Sequence, residues 1–298
     1  MSFIRAGRAL VAGEARPRRG KEKRKFMIII GEKINGTRSK VAEAVKNRDA
    51  DFIRELARKQ YQAGAVYLDV NAGTLPAREP EDLVWLVELT REAAPEAILC
   101  IDSANPEALA AGLEKAAAYS PPKLMINSLS GEQKRVEGVL PLAVKYQTEL
   151  IVLALDDGGI PETVEGRLAI VRRLVGLCRE QGLADESLYI DPLVMTISTN
   201  IQAGVVTLDT IRAVRGEFPK VHLTCGHSNI SFGMPLRSTL NQAFMALTIQ
   251  AGLDTAISDP ENRDLKAMAL AAEALLGRDR HCLKFNRAFR AKQIGPLT

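Results

Sequence analysis

Eight short apolar runs punctuate this chain, and longer stretches with helical patterning lie between them. The runs are Met27–Ile30, Ala65–Asp69, Ala97–Asp102, Lys123–Asn127, Leu150–Leu155, Leu188–Asp191, Val221–Cys225 and Thr255–Ser258. Continuous apolar runs bounded by turn formers fit strands covered on both faces, as in a parallel sheet. Between them, 49–63 places Phe52, Ile53, Leu56 and Tyr61 at helical spacing, with Gly64 just beyond as a stop. The stretches 106–118 and 162–182 have the same character. Eight such units in about 250 residues are the arithmetic of a single α/β (β/α)8 TIM barrel. A doubly wound sheet competes, but it calls for a glycine-rich first turn. Residues 31–36 read GEKING, which is not GxGxxG.

Charge bounds the partners. The 298 residues carry a formal +4, but residues 1–26 hold nine basic side chains against two acidic ones, a local +7. The remaining 31 basic and 34 acidic residues leave the body at −3. A nucleic-acid partner calls for basic residues on a folded face, so none is expected. The run from Arg16 to Lys25 predicts a disordered basic extension over 1–26. Met27 opens the first strand and is a candidate natural start. The barrel is expected over 27–285, with 286–298 as a frayed basic tail. Cys100, Cys178, Cys225 and Cys282 are widely spaced, with no CxxC pair, which argues against a zinc knuckle and a secreted disulfide framework. Ala9–Ala12 is too short for a signal peptide core, and no apolar run approaches the ~20 residues of a membrane span. A cytoplasmic protein with no membrane partner is the expectation.

The runs end on polar residues. Glu32 and Asn35 follow the first, Asp69 and Asn71 close the second, and Asp102, Asn127, Asp156–Asp157 and Asp191 close the next four. The seventh leads into Gly226-His227-Ser228-Asn229, and the eighth into Ser258-Asp259. Asp and Asn commonly end strands as turn formers and helix caps. In a barrel, however, the whole ring would converge on the C-terminal mouth, where barrel active sites lie. The ring is rich in acceptors and amides and poor in cations, so a diphosphate ligand is disfavoured. Carboxylate opposite an amidine-like edge, and carboxamide opposite a lactam edge, suit a pterin or a purine. No metal site is expected. His222 reads as barrel lining and His281 as surface, which leaves His227 as the histidine with a role at the site. A metal-dependent lyase using Asp69, Asp102 and Asp191 stays open as a different class of reading.

The motifs GEKING (31–36), LDVNAG (68–73), CIDSAN (100–105), MINS (125–128), YIDPL (189–193) and GHSNIS (226–231) occur in this order. Together they resemble the methyltetrahydrofolate:corrinoid protein methyltransferases of the pterin-binding barrel superfamily. That superfamily also holds dihydropteroate synthase and the folate module of cobalamin-dependent methionine synthase. The resemblance covers 27–285. It implies a pterin-holding trio of Asp102, Asn127 and Asp191, with Asn229 hydrogen-bonded near the N5 that carries the methyl group. It places catalysis on Asn229, Asp102 and Asp191. Glu32, Asn35, Asp69, Asn71, Gly226, Ser228 and Arg237 complete the implied substrate site. Phe232 departs from the polar residue some members carry there.

The resemblance further implies a folate substrate, 5-methyltetrahydrofolate or tetrahydrofolate, and a cobalamin (corrinoid) carried by a partner protein. No cofactor is expected to be held tightly by this chain, which lacks the DxHxxG corrinoid motif. A homodimer is implied by the family alone. Two alternatives stay open: a dihydropteroate synthase-like condensation, and a barrel that binds folate without turnover. The first would need basic residues after strands seven and eight, where the chain reads CGHSN and SDPEN.

Overall fold

The computed structural model describes residues 26–119 and 123–296. The expected disorder of the basic extension covers 1–26, of which 1–25 lie outside the described residues. Among the described residues, eight parallel strands alternate with helices. The strands are β1 (Ile28–Asn35), β2 (Tyr67–Asn71), β3 (Ile98–Asp102), β4 (Met125–Leu129), β5 (Glu149–Leu153), β6 (Leu188–Asp191), β7 (His222–Leu223) and β8 (Thr255–Ser258). The first five helices are α1 (Ser39–Asn47), α2 (Ala50–Gln62), α3 (Glu79–Ala93), α4 (Pro106–Ala117) and α5 (Gln133–Tyr146). The rest are α6 (Val164–Glu180), α7 (Ala203–Glu217), α8 (Arg237–Ala251), α9 (Arg263–Leu275) and α10 (Leu283–Arg290).

The sheet runs from β7 in descending order to β1 and on to β8. The ring is joined between β7 and β8 by Ile257 N–H donating to the Cys225 carbonyl at 2.9 Å and Asp254 N–H to that of Leu223 at 3.3 Å. The fold is thus the expected barrel. β7 is shorter than the run 221–225 predicts, although Thr224 N–H still donates to the Ile190 carbonyl at 3.0 Å and Gly226 still bridges Ile257.

Local chemistry sets the helix starts. Asp49, Asn105, Thr163 and Asn262 each accept a backbone N–H of the following first turn, capping α2, α4, α6 and α9. The main core lies between the strands' outer faces and the helices, with Leu68, Val70, Leu99, Ile101, Leu150 and Val152 among its members. A second, smaller core fills the barrel: Ile30, Tyr67, Cys100, Met125, Ile151 and Tyr189. Its floor is polar. The Tyr67 hydroxyl lies 2.8 Å from both Glu149 Oε2 and the Tyr189 hydroxyl, and His222 stacks on Tyr189.

Two loops at the mouth are welded backbone to backbone. The Gly36 N–H donates to the Asn71 carbonyl at 2.9 Å. A Cβ on Gly36 would lie 1.7 Å from the Ala72 carbonyl oxygen, with no side chain able to yield. Gly36→Ala is therefore expected to lower stability by about 3 kcal/mol or more, read as a drop in thermal midpoint, since the backbone itself must move.

One expectation fails. The C-terminal segment is not frayed through 296: α10 buries Ala288, Ile294 is buried, and Arg263 bonds the Lys292 and Gly295 carbonyls. The apolar Ala288 and Ile294 outweigh the basic composition that predicted a free end. No helix among the described residues is long and apolar enough to cross a membrane.

Candidate active site at the barrel mouth

Strand alternation builds the site. In β2, Leu68 and Val70 face the helices, whereas Tyr67 belongs to the inner core and Asp69 and Asn71 follow it in the same phase. The same period carries β3 from Cys100 to Asp102, β4 from Met125 to Asn127 and β6 from Tyr189 to Asp191. Each of these strands thus climbs from a residue of the inner core to a polar residue at the mouth.

Those residues form one network. Asn71 Nδ2 donates to Asp102 Oδ2 at 2.8 Å, and Asn127 Nδ2 donates to Asp69 Oδ1 at 3.2 Å. Burial holds the Asp69 carboxyl well above the usual carboxylate range, and the neighbouring Asp102 charge raises it further. Burial also raises Asp102, against the Asn71 hydrogen bond and the Arg135 charge. Two carboxyls in one buried cluster do not both ionise readily, so each is driven upward by burial and the two titrate as a pair.

Asp191 stands apart from that pair. Its Oδ1 accepts the Leu193 N–H at 2.7 Å, in a turn that puts Leu193 at φ 64°. Burial pushes its carboxyl up to about 6, against hydrogen bonds from the Leu193 and Gly226 backbone and the charge of Arg167.

The loop after β7 supplies the rest. Gly226 precedes a short 3-10 turn, His227–Ser231, in which Asn229 is exposed and Ser228 half-buried. A Cβ on Gly226 would meet the Asn229 Nδ2 at 2.9 Å, so the absent side chain is what lets the carboxamide fold over the backbone. Arg237 Nε donates to Ser231 Oγ at 3.1 Å and its Nη2 to the Ser228 carbonyl at 3.0 Å. Its guanidinium lies 5.7 Å from the ring centroid of Phe232, which is 67% exposed at the rim. Glu32 is partly buried, and burial raises its carboxyl against the charges of Arg38, Lys33 and Arg237.

Several expectations need correction. His227 has no place at the mouth: it is fully buried against Phe244, and burial holds its imidazole down to about 4. Asn35 commits its Oδ1 to the Thr37 N–H and hydroxyl at 2.9 and 2.7 Å, so this part of the side chain shapes a turn. Asp156 and Asp157 are also turn residues, bound to the Gly158 N–H and Arg173 and to the Gln133 N–H respectively. Asp259 pairs with Lys33 at 2.9 Å, and Lys33 also reaches Glu261 at 2.6 Å.

Nor is the site poor in cations. Arg135 of α5 donates to the Ala104 carbonyl at 2.7 Å and to that of Ser128, and its charge reaches Asp102. Arg167 of α6 does the equivalent beside Asp191. Both arginines escaped the sequence reading. For Arg167 the signal was present: it shares a helical stripe with buried Ile170, Val171 and Leu174, where a cation needs a reason.

Carboxyls and carboxamides thus line the mouth of a (β/α)8 barrel, with two arginines behind them. Residues 31–259 match the family of pterin binding enzymes, and the chain belongs to that family. It is 41% identical, over 91% of its length and 99% of the relative's, to a methylcorrinoid:tetrahydrofolate methyltransferase of Eubacterium limosum. This chain is therefore a methyltransferase of that branch. A methionine synthase of Mycobacterium leprae is 30% identical over 78% of this chain, which spans only 20% of that larger protein. Among solved structures, a dihydropteroate synthase of Clostridium difficile superposes with a TM-score of 0.67 at 16% identity, covering 85% of this chain and 98% of that one. That of Yersinia pestis, in complex with a sulfonamide drug, gives 0.65 at 15% identity over 85% and 94%. These last likenesses speak to the fold alone.

Proposed function

We propose that this enzyme moves a methyl group between the cobalt of a corrinoid carried on a partner protein and N5 of tetrahydrofolate, a homodimer being the implied form. The observation that carries the reading is the paired arrangement of Asp102 with Asn71, Asn127 with Asp69, and Asp191 across one buried mouth. Asp102 and Asp191 accept the N–H groups of the pterin's amidine-like edge, and Asn127 faces its lactam edge. The diphosphate leaving group of a condensation finds no free basic site after β8, where Asp259 and Glu261 enclose Lys33. The relative of 41% identity is named for transfer from methylcorrinoid to tetrahydrofolate, and we assign that direction here.

N5 is the chemical problem. In the assigned direction N5 of tetrahydrofolate is a secondary amine whose lone pair takes the methyl group while the Co–C bond pair returns to cobalt. N5 becomes a cationic ammonium that must then release its N–H proton, and the same ammonium is what spares N5 from leaving as a poor anion in reverse. The transition state therefore gains from an acceptor at N5–H that binds more strongly as positive charge develops on N5, and each 1.4 kcal/mol of such selective stabilisation is about tenfold in rate. The Asn229 amide does not titrate. It supplies the bond by turning: its oxygen accepts from N5–H, and its Nδ2 donates to an unprotonated N5. The proton itself travels through water or the Asp69–Asp102 pair.

The test is anaerobic incubation with methylcobalamin and tetrahydrofolate, following the visible spectrum. Conversion to the demethylated corrinoid is expected. A protein that binds tetrahydrofolate yet leaves the spectrum unchanged is a folate-binding barrel, and the reading falls. Activity lost on chelation would favour the metal-dependent lyase.

Affinity is expected to depend on pH. The pterin's N–H donors need carboxylates, and Asp191 in the free enzyme is pushed up to about 6. Tetrahydrofolate affinity, measured calorimetrically, should be level above pH ~7 and fall by about tenfold per pH unit below ~6 for each carboxylate that must ionise. A flat profile between pH 5 and 8 would remove Asp191 from the site.

A further inference from the structure

The mouth carboxylate Asp191 is held from behind by a buried cation. Arg167 rises from the first turn of α6, is 2% exposed, and spends its donors on backbone rather than on a carboxylate. Its Nε donates to the Pro161 carbonyl at 2.9 Å, and Nη1 to the carbonyls of Pro192 and Leu193 at 2.8 and 2.9 Å. The last two belong to the residues immediately after Asp191. Their carbonyls are drawn back toward the guanidinium, and the Leu193 N–H is turned forward onto Asp191 Oδ1 at 2.7 Å. The left-handed conformation of Leu193 is unusual for a residue with a branched side chain, and such backbone persists where surrounding bonds over-determine it. Arg167 supplies two of those bonds and ties the loop after β5 to the turn after β6.

We propose that Arg167 is a positioning residue for the methyl-transfer reaction: it locks the Asp191–Leu193 turn so that the Asp191 carboxylate, held by the Leu193 N–H, is presented to the substrate in a fixed orientation. The titratable and charged groups facing Asp191 are few. Arg167 comes from α6, and the Cys225 thiol comes from beyond β7, kept protonated by burial and by the Asp191 charge. Arg167 is thus the cation that opposes desolvation of Asp191. A lysine there would keep the charge but could not reach three carbonyls with a planar fork.

The inference rests on the proposed function, and one titration separates the two. Tetrahydrofolate affinity is measured by anaerobic calorimetry from pH 5.5 to 9 for the wild type, Arg167→Met and Arg167→Lys, with thermal midpoints recorded alongside. Arg167→Met is expected to bind at least about tenfold more weakly at pH 7. Its loss should shrink toward pH 9, because the pH at which binding fades moves up by about one unit without the neighbouring cation. Arg167→Lys is expected to keep the wild-type pH midpoint and to bind about three- to tenfold more weakly at every pH, having charge without the fork. If Arg167→Met does not fold, the Lys variant still decides, through an unmoved midpoint with reduced affinity. Affinity unchanged in both variants, or a loss in Arg167→Met that is the same at every pH, overturns the proposal. A wild type that binds no tetrahydrofolate overturns the proposed function instead.

Discussion

Asn229→Ala lowers methyl transfer by about 10–1,000-fold while tetrahydrofolate affinity stays within about threefold, the expected result when a hydrogen bond made chiefly in the transition state is removed. The asymmetry follows from where the residue sits. Asn229 is exposed on the short 3-10 turn after β7, and its carboxamide lies against the bare backbone of Gly226, making no bond to the carboxylate network below. It has little to contribute to holding the ground-state pterin, which the proposal gives to Asp102, Asn127 and Asp191. Asn229→Asp is the informative companion: it keeps an acceptor for N5–H but loses the donor, so it should retain part of the rate. Rapid-mixing kinetics with methylcobalamin, beside calorimetry, make the comparison. An alanine variant that turns over at the wild-type rate, or one whose whole defect is weak folate binding, would remove Asn229 from the chemistry.

Asp191→Asn separates binding from stability, in opposite directions. The replacement keeps an oxygen for the Leu193 N–H, so the turn survives. Its other atom becomes an NH2 facing the pterin's own N–H donors, and the charge is gone. A loss of tetrahydrofolate affinity of at least about 100-fold is expected, the cost of a charge-assisted bond exchanged for two donors in opposition. Stability moves the other way. Burial raises the folded-state carboxyl from its ordinary 3.8 to about 6, so the native protein binds the proton more tightly than the unfolded chain. That linkage makes stability fall as pH rises between the two values, and above ~6 the ionised carboxylate costs the fold on the order of 2–3 kcal/mol. The Asn variant escapes this. Its thermal midpoint should exceed that of the wild type at pH 8 and converge on it near pH 4. Equal midpoints at pH 8, or unimpaired folate binding, would contradict the picture of a carboxylate held ionised in a buried mouth for the sake of its ligand.

Much of this molecule was legible one residue at a time. The phase of Tyr67, Asp69 and Asn71, of Cys100 and Asp102, and of Tyr189 and Asp191 is a period-two pattern that any β-strand must place on one face. The same reading misjudged residues whose role depends on partners far along the chain. His227 resembled a site histidine because it lies in the loop after the seventh strand, but a 3-10 turn points it into the core against Phe244. Asp156 and Asp157 resembled rim carboxylates, but the Gly158 N–H and Arg173 claim the first and the distant Gln133 N–H the second. Arg135 and Arg167 sit in helices α5 and α6, among residues that read as packing faces, and nothing nearby in the sequence marks the carbonyls they serve.

The sequence by itself determined the barrel, the order of its strands and the polar identity of its mouth, because periodicity, capping and strand-end chemistry are properties of neighbours. Only the tertiary structure decided that burial raises both carboxyls of the Asp69–Asp102 pair, that backbone N–H groups of the Leu193 turn and of Gly226 hold Asp191, and that two arginines stand behind the ring. Those outcomes depend on burial and on distances between residues dozens of positions apart. Both come into being when the eight strands close into one ring.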